Sequence, residues 1–211
     1  RKKTAIARAL ASEPKILLLD EPFSMLDPPS RRSVLEIIRD VRKRTGITVV
    51  HVSHDRADAW DLGDLCAVME NSRIIQCAET AEIFRKPKTA ELARFIGCEN
   101  VFPAKFANEQ ECGLAEIGDK IRLKIDSEIG VGHGYIVIRP ELIKVTTDSN
   151  ANRLEAVVKS VLDRGEFCEI RAITSDIELT IHCSHREAEK LPISSNVKLA
   201  VRPDDIHCIP A

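Results

Sequence analysis

Ile16-Leu17-Leu18-Leu19-Asp20-Glu21-Pro22 is a run of aliphatic residues that ends in two adjacent carboxylates and a proline. A short apolar run bounded by a turn residue suits a strand buried on both faces of a parallel sheet. Pro22 has no amide hydrogen to continue a ladder, so the strand is expected to stop there. Asp20 and Glu21 then stand at its carboxyl end, the edge of an open α/β sheet where ligands bind. Neighbouring acids repel each other unless a cation or a proton-transfer task holds them together. The blander reading of the same residues is a strand that runs into a solvated acidic turn.

The surrounding landmarks decide between the two. Ser24-Met25-Leu26-Asp27 follows the turn, and Pro28-Pro29 opens a helix. A second apolar strand, Ile47 to Val52, runs into Ser53-His54-Asp55, while Arg8-Ala9-Leu10-Ala11 closes a helical segment upstream. In order and spacing, Ala5-Ile6-Ala7-Arg8-Ala9-Leu10, the Leu-Leu-Leu-Asp20-Glu21-Pro22 run, Leu26-Asp27 and His54-Asp55 resemble the second half of an ABC-transporter nucleotide-binding domain. The resemblance implies an α/β, partial P-loop NTPase domain over residues 1–97. It implies ATP and Mg²⁺ as cofactors, with Asp20 holding the metal through a water. Glu21 is then expected to polarise the water that attacks the γ-phosphate, and His54 to reach both that phosphate and Glu21. Asp27 is expected beside the nucleotide, in the loop that faces a partner subunit.

No G-x-x-x-x-G-K-[ST] occurs in these residues, so they supply no backbone cradle or lysine for the β- and γ-phosphates. The family's Gln-bearing loop and Ser-Gly-Gly signature are absent too. No Met begins the chain. The expectation is therefore the carboxyl-terminal part of a longer protein, one that does not bind ATP productively by itself.

Composition limits the partners. The formal charge is −2, which points to no polyanion, and the apolar runs are too short to span a bilayer. The cysteines (66, 77, 98, 112, 168, 183 and 208) are odd in number and lack any C-x-x-C. That pattern speaks against a disulfide framework or a zinc site, and the histidines show no metal spacing either. Val34, Ile37, Ile38 and Val41 mark one apolar helix face, with Arg39, Arg42, Lys43 and Arg44 read as solvated or placed in the last turn. A hairpin is expected around Glu70-Asn71-Ser72, followed by short helices at about 79–85 and 88–96.

From Cys98 the pattern becomes short alternating strands, with an internal repeat. Asn100–Phe106 aligns with Asn152–Val158 at an offset of 52, Ile121–Ile125 with Leu179–Cys183 at 58, and Ile138-Arg139-Pro140-Glu141 with Val201-Arg202-Pro203-Asp204 at 63. Residues 98–211 resemble the TOBE region that follows the ATPase in a group of ABC importers. This implies an all-β, OB-like double barrel whose two small copies stack or pair to bury enough surface. Ser149 and Asn152 match the start of a molybdate-binding (Mop) module, and Asn100 holds the equivalent place in the first copy. The module's central Ala-Arg pair is not matched, and Ala156 stands where it has glycine. Ser149, Asn152 and Asn100 are thus candidate oxyanion contacts, with a purely structural barrel as the alternative. Arg139 and Arg202, at the same place in each copy, read as barrel or subunit buttresses.

Together the two resemblances imply the ATP-hydrolysing subunit of an ABC importer on the cytoplasmic face of the membrane. It would act as a homodimer on transmembrane permease subunits, indirectly with a periplasmic or extracellular solute-binding protein, and without nucleic acid. Molybdate or tungstate is the expected cargo, with sulfate, iron, sugar or polyamine as alternatives. The competing classes are a soluble ABC-type ATPase acting on nucleic acid or ribosomes, and a fragment serving only as an oxyanion-binding or dimerisation module.

Overall fold

The apolar run at 16–19 forms strand β1 (Ile16–Asp20), and the β-branched run after Gly46 forms β2 (Thr48–Val52). They pair in parallel, Leu17 opposite Val49 and Asp20 opposite Val52, because helix α2 (Pro28–Thr45) returns the chain between them. α2 starts at Asp27, whose carboxylate accepts from Ser30 N at 3.1 Å ahead of the two prolines. It stops at Gly46, which takes the left-handed φ of 67° and donates its N–H to Arg42 O. Val34, Leu35 and Ile38 of α2 pack with Ile6 of α1 (Lys2–Leu10) and Phe23, and Leu19 and Val49 join them from the strands.

Within these residues the β1–β2 pair is packed on one face. Leu17 is buried, but Ile16, Leu18, Val50 and Val52 are exposed, Leu18 by 74%. Side chains alternate across a strand, and among the described residues only the face of Leu17, Leu19 and Val49 is packed. An unbroken apolar run cannot show which of its two faces its own chain covers. After α3 (Arg56–Leu62) comes the expected hairpin, β3 (Leu65–Glu70) with β4 (Arg73–Glu79). Asn71 and Ser72 both adopt positive φ at its tip, 47° and 61°.

The computed structural model describes residues 2–109, 112–118, 120–126, 129–145 and 151–211. They divide into two units, 1–83 and 84–211, with the division inside α4 (Thr80–Arg85). This lies ahead of the expected boundary at 97. The reason is α5 (Ala90–Phe95), whose Ala90, Leu92 and Ala93 are buried and whose Arg94 lies over the ring of Tyr135 at 5.5 Å.

The second unit contains β5 (Asn100–Glu109), β6 (Cys112–Ile117), β7 (Ile121–Ile125), β8 (Gly132–Ile138) and β9 (Lys144–Val145) from the first repeat. The second repeat gives β10 (Asn152–Asp163), β11 (Cys168–Thr174), β12 (Ile177–Cys183), short helix α6 (His185–Ala188), β13 (Asn196–Val201) and β14 (Ile206–Pro210). One sheet runs β14-β8-β5-β6-β7 and the other β9-β13-β10-β11-β12. Each repeat thus builds four strands in the same order and receives its fifth from the other repeat. β14 pairs with β8 through Ile206 opposite Ile138, and β9 with β13 through Leu199 opposite Val145. Gly134 belongs to this exchange, since a Cβ there would stand 2.1 Å from Ile209 O on β14.

The expectation of two barrels that stack or pair gives way to two exchanged sheets around one core. Phe106, Leu123, Ile136 and Ile138 of the first sheet share it with Val158, Ile170, Ile181 and Leu199 of the second. The repeat alignment also needs one correction. Ala115 faces Leu123 and Ala172 faces Leu179, so β7 maps onto β12 at an offset of 56 rather than 58. A slip of two keeps every side chain on the same face, so alternation alone does not detect it.

Candidate functional site

The parallel ladder continues one residue beyond β1, as Glu21 N donates to Val52 O at 2.9 Å. Glu21 then takes φ 44°, a left-handed conformation that costs a non-glycine residue about 1–2 kcal/mol. Its carbonyl accepts from the amide and the hydroxyl of Ser24 at 3.3 and 3.1 Å. This turn lifts the carboxylate over the end of β2, where residue 54 meets it twice. The His54 amide donates to Glu21 Oε1 at 3.2 Å, and His54 Nδ1 lies 2.7 Å from the same oxygen.

An ionised carboxylate only accepts, so Nδ1 carries the proton in this contact and Nε2 is left as the basic nitrogen of the neutral ring. The hydrogen bond to Glu21, with the carboxylate's negative charge, raises the pKa of His54 above the ordinary imidazole value. The imidazole is 81% exposed and the Glu21 side chain 35%. The pair therefore opens to solvent, where a ligand can reach it.

Asp20 is exposed at the last position of β1, beside Glu21. A carboxylate at a strand's carboxyl end is a hard oxygen donor of the kind Mg²⁺ takes, directly or through water. Asp27 lies one turn further on, as the cap of α2. Asp20, Glu21 and His54 thus gather at one end of the β1–β2 pair, while the Asp27 carboxylate is engaged at the start of the helix.

Sequence reasoning missed the residues that fix the His54 loop. Ser53 Oγ donates to Asp58 Oδ2 at 2.5 Å and accepts from Asp55 N at 3.0 Å. Asp55 caps α3 by accepting from Ala57 N at 2.8 Å. Asp58 is only 2% exposed and takes two bonds from Arg31 of α2, at 2.7 and 3.2 Å, and Arg31 also meets Asp61 at 2.8 Å. The Arg31 guanidinium lies 5.5 Å from the centre of the Phe23 ring. No spacing rule links positions 31 and 58; the only signal was an aspartate in the first turn of a short amphipathic helix. The basic run of α2 likewise is not all solvated. Arg39 donates to Asp61 O, and Arg42 to Leu62 O and Asp64, which ties α2 to the end of α3.

In the second unit the oxyanion candidates are placed differently from expectation. Ser149 lies outside the described residues. Asn100 is 1% exposed; its amide donates to Ile138 O and Thr180 O at 3.1 and 2.8 Å, and its oxygen accepts from Thr180 N at 2.8 Å. Asn152 repeats the motif, accepting from Lys124 N at 2.7 Å and donating to Lys124 O at 2.8 Å. Each asparagine begins the first strand of its repeat and clasps the third strand of the other. These amides bond to backbone and stitch the two sheets together.

Residues 136–209 match the TOBE domain family. The chain is 33% identical over 208 residues to the spermidine/putrescine import ATP-binding protein PotA of Acetivibrio thermocellus, covering 98% of this chain and 57% of that protein. It is 29% identical over 215 residues to the Fe(3+) ions import ATP-binding protein FbpC of Photobacterium profundum, covering 100% and 59%. It is 31% identical over 216 residues to the molybdate/tungstate import ATP-binding protein WtpC of Pyrococcus horikoshii, covering 100% and 61%. The chain therefore spans about three-fifths of the length of these relatives. Over nearly its whole length it is similar to the ATP-binding subunits of ABC importers, with a match to the TOBE domain at its carboxyl end.

Proposed function

We propose that this chain is part of a subunit that hydrolyses ATP to drive solute import, with Glu21 as the general base and His54 as the residue that aims it. The observation that carries the reading is the 2.7 Å contact between His54 Nδ1 and Glu21 Oε1 at the carboxyl ends of two parallel strands. Glu21 takes the proton of the attacking water, and its strained turn on a strand end fixes the direction of its carboxylate. His54 holds that carboxylate through Nδ1–H and its amide, and presents Nε2 towards the phosphate side. Asp20 would hold Mg²⁺ through water, and the metal would supply charge neutralisation of the triphosphate. Asp27 fixes the start of α2 beside a second subunit of a homodimer. The parent subunit sits peripherally on the membrane against permease partners; no helix among the described residues is long and apolar enough to cross.

In the full-length parent, Glu21→Gln keeps Mg-ATP binding and lowers turnover at least about 100-fold, the scale of a lost general base. Turnover near that of the unaltered protein would remove Glu21 from the mechanism. The 211 residues alone are expected to show no turnover, since no phosphate-cradling motif lies within them.

The finer reading, molybdate or tungstate as cargo, rests on the Ser149-x-x-Asn152 sequence pattern and draws nothing from the placement of Asn100 or Asn152, whose amides bond to backbone. Thermal unfolding titrated with molybdate, tungstate and sulfate tests it. Stabilisation by the first two and less by sulfate supports an oxyanion site, and no shift with any of them leaves the tail structural.

A further inference from the structure

The second unit holds a group of side chains that neither the hydrolysis site nor the exchanged core uses. Asp163 ends β10, Cys168 begins β11, and His185 stands in the first turn of α6. One carboxylate oxygen, the Cys168 sulfur and one imidazole nitrogen all lie within 4.8 Å of one another, the only such group of three among the described residues. Asp163 and His185 are exposed, and Cys168 is buried.

Each donor is held by local structure rather than left on a free side chain. Asp163 and Cys168 face each other across the β10–β11 pair. The loop between them closes through Arg164 N to Phe167 O at 2.9 Å and Gly165 N to Asp163 Oδ1 at 2.7 Å, with Gly165 at φ 86°. His185 is set by a capping box in which Ser184 and Glu187 bond reciprocally. His185 Nε2 lies 3.0 Å from Asp163 Oδ1.

We propose that Asp163, Cys168 and His185 form a binding site for a borderline divalent transition-metal cation of the zinc class, with water as the fourth ligand. The donor set selects the metal. One thiolate, one imidazole and one carboxylate suit Zn²⁺ and Co²⁺, whereas Mg²⁺ and Ca²⁺ demand oxygen throughout. Bonds of about 2.0–2.3 Å place tetrahedral donors roughly 3.3–3.8 Å apart. The three donor atoms, within 4.8 Å of one another, draw together on the metal to reach that spacing. Binding replaces the Asp163–His185 contact and removes the thiol proton of Cys168 to solvent. The metal then ties the β10–β11 hairpin to α6 and stabilises that end of the sheet. Cysteine spacing did not show the site because its ligands come from three separate elements.

The test is titration of the full chain with Co²⁺, kept reduced by a non-chelating phosphine. One equivalent per chain is expected to bind, with a thiolate-to-cobalt charge-transfer band in the near ultraviolet, and Zn²⁺ should displace it. Asp163→Asn and His185→Gln, both at exposed positions, should each weaken cobalt binding at least about tenfold. Cys168→Ser should abolish the charge-transfer band, and Cys77→Ser, on the β3–β4 hairpin, should leave it intact. Absence of the band in the unaltered chain, or a band of unchanged affinity in both Asp163→Asn and His185→Gln, overturns the proposal.

Discussion

At the scale of single residues, the Glu21–His54 pair shows how a backbone strain and a hydrogen bond combine to aim a side chain. Glu21 leaves the ladder at φ 44°, and the amide and the ring of His54 both meet its Oε1. The pKa of His54 is raised because Glu21 bonds and attracts the protonated ring. A raised pKa means that the folded state holds the proton more tightly than the unfolded state. Any stability it adds is present in full below the unfolded imidazole value and is lost as pH rises through the folded one. NMR titration of the His54 ring should show a pKa above that of an unperturbed histidine, falling towards it in Glu21→Gln. An unchanged titration in that variant would separate the two side chains in solution.

At the scale of elements, two contacts in the second unit have measurable consequences. Asn100 joins β5 to both β8 and β12, with its donor and acceptor groups used in a buried setting. Asn100→Ala leaves Thr180 N and two carbonyls without this partner and should cost about 3 kcal/mol. Asn152→Ala, at a half-buried position, should cost about 1 kcal/mol, because water can replace its bonds. Denaturant midpoints of the two variants check the ranking, and equal losses would contradict it.

His207 of β14 donates from Nε2 to Pro87 O at 2.8 Å. Burial pushes its pKa down, with Lys86 and Arg139 nearby acting in the same direction against the Pro87 bond. A histidine held below its unfolded pKa stabilises the fold above that value, near 6.5, and the contribution is lost as pH falls through the folded value. The melting temperature should therefore drop between pH 7.5 and 5.5 by less in His207→Gln than in the unaltered chain.

At the scale of the whole molecule, the exchange of β9 and β14 makes the two repeats of the second unit one cooperative body. Each repeat alone lacks its fifth strand and half of the core side chains. Ile136→Ala in the first sheet and Ile170→Ala in the second each empty a fully buried position and should cost about 2–5 kcal/mol. Either variant should lower amide hydrogen-exchange protection across both sheets. Loss confined to the altered sheet would mean that the repeats unfold independently.

The sequence by itself determined the local elements and their order. Pro28, Pro29 and Gly46 bounded α2, Asn71 and Ser72 placed a hairpin, and acids before Pro22 marked a strand end, because each rests on backbone chemistry within a few residues. It also located Glu21 and His54 as candidates, since their motifs sit at the ends of neighbouring strands. Only the tertiary structure decided what lies between distant residues. It showed which face of the β1–β2 pair these residues pack, the bond from Arg31 to Asp58, the packing of α5 within the second unit, and the exchange of last strands between repeats. The repeat was legible, but its pairing was not, because alternation fixes which face a side chain takes and leaves a two-residue slip or a change of partner sheet undetected. The Asp163, Cys168 and His185 group was hidden for the same reason: its donors converge only when a hairpin and a capped turn close around them.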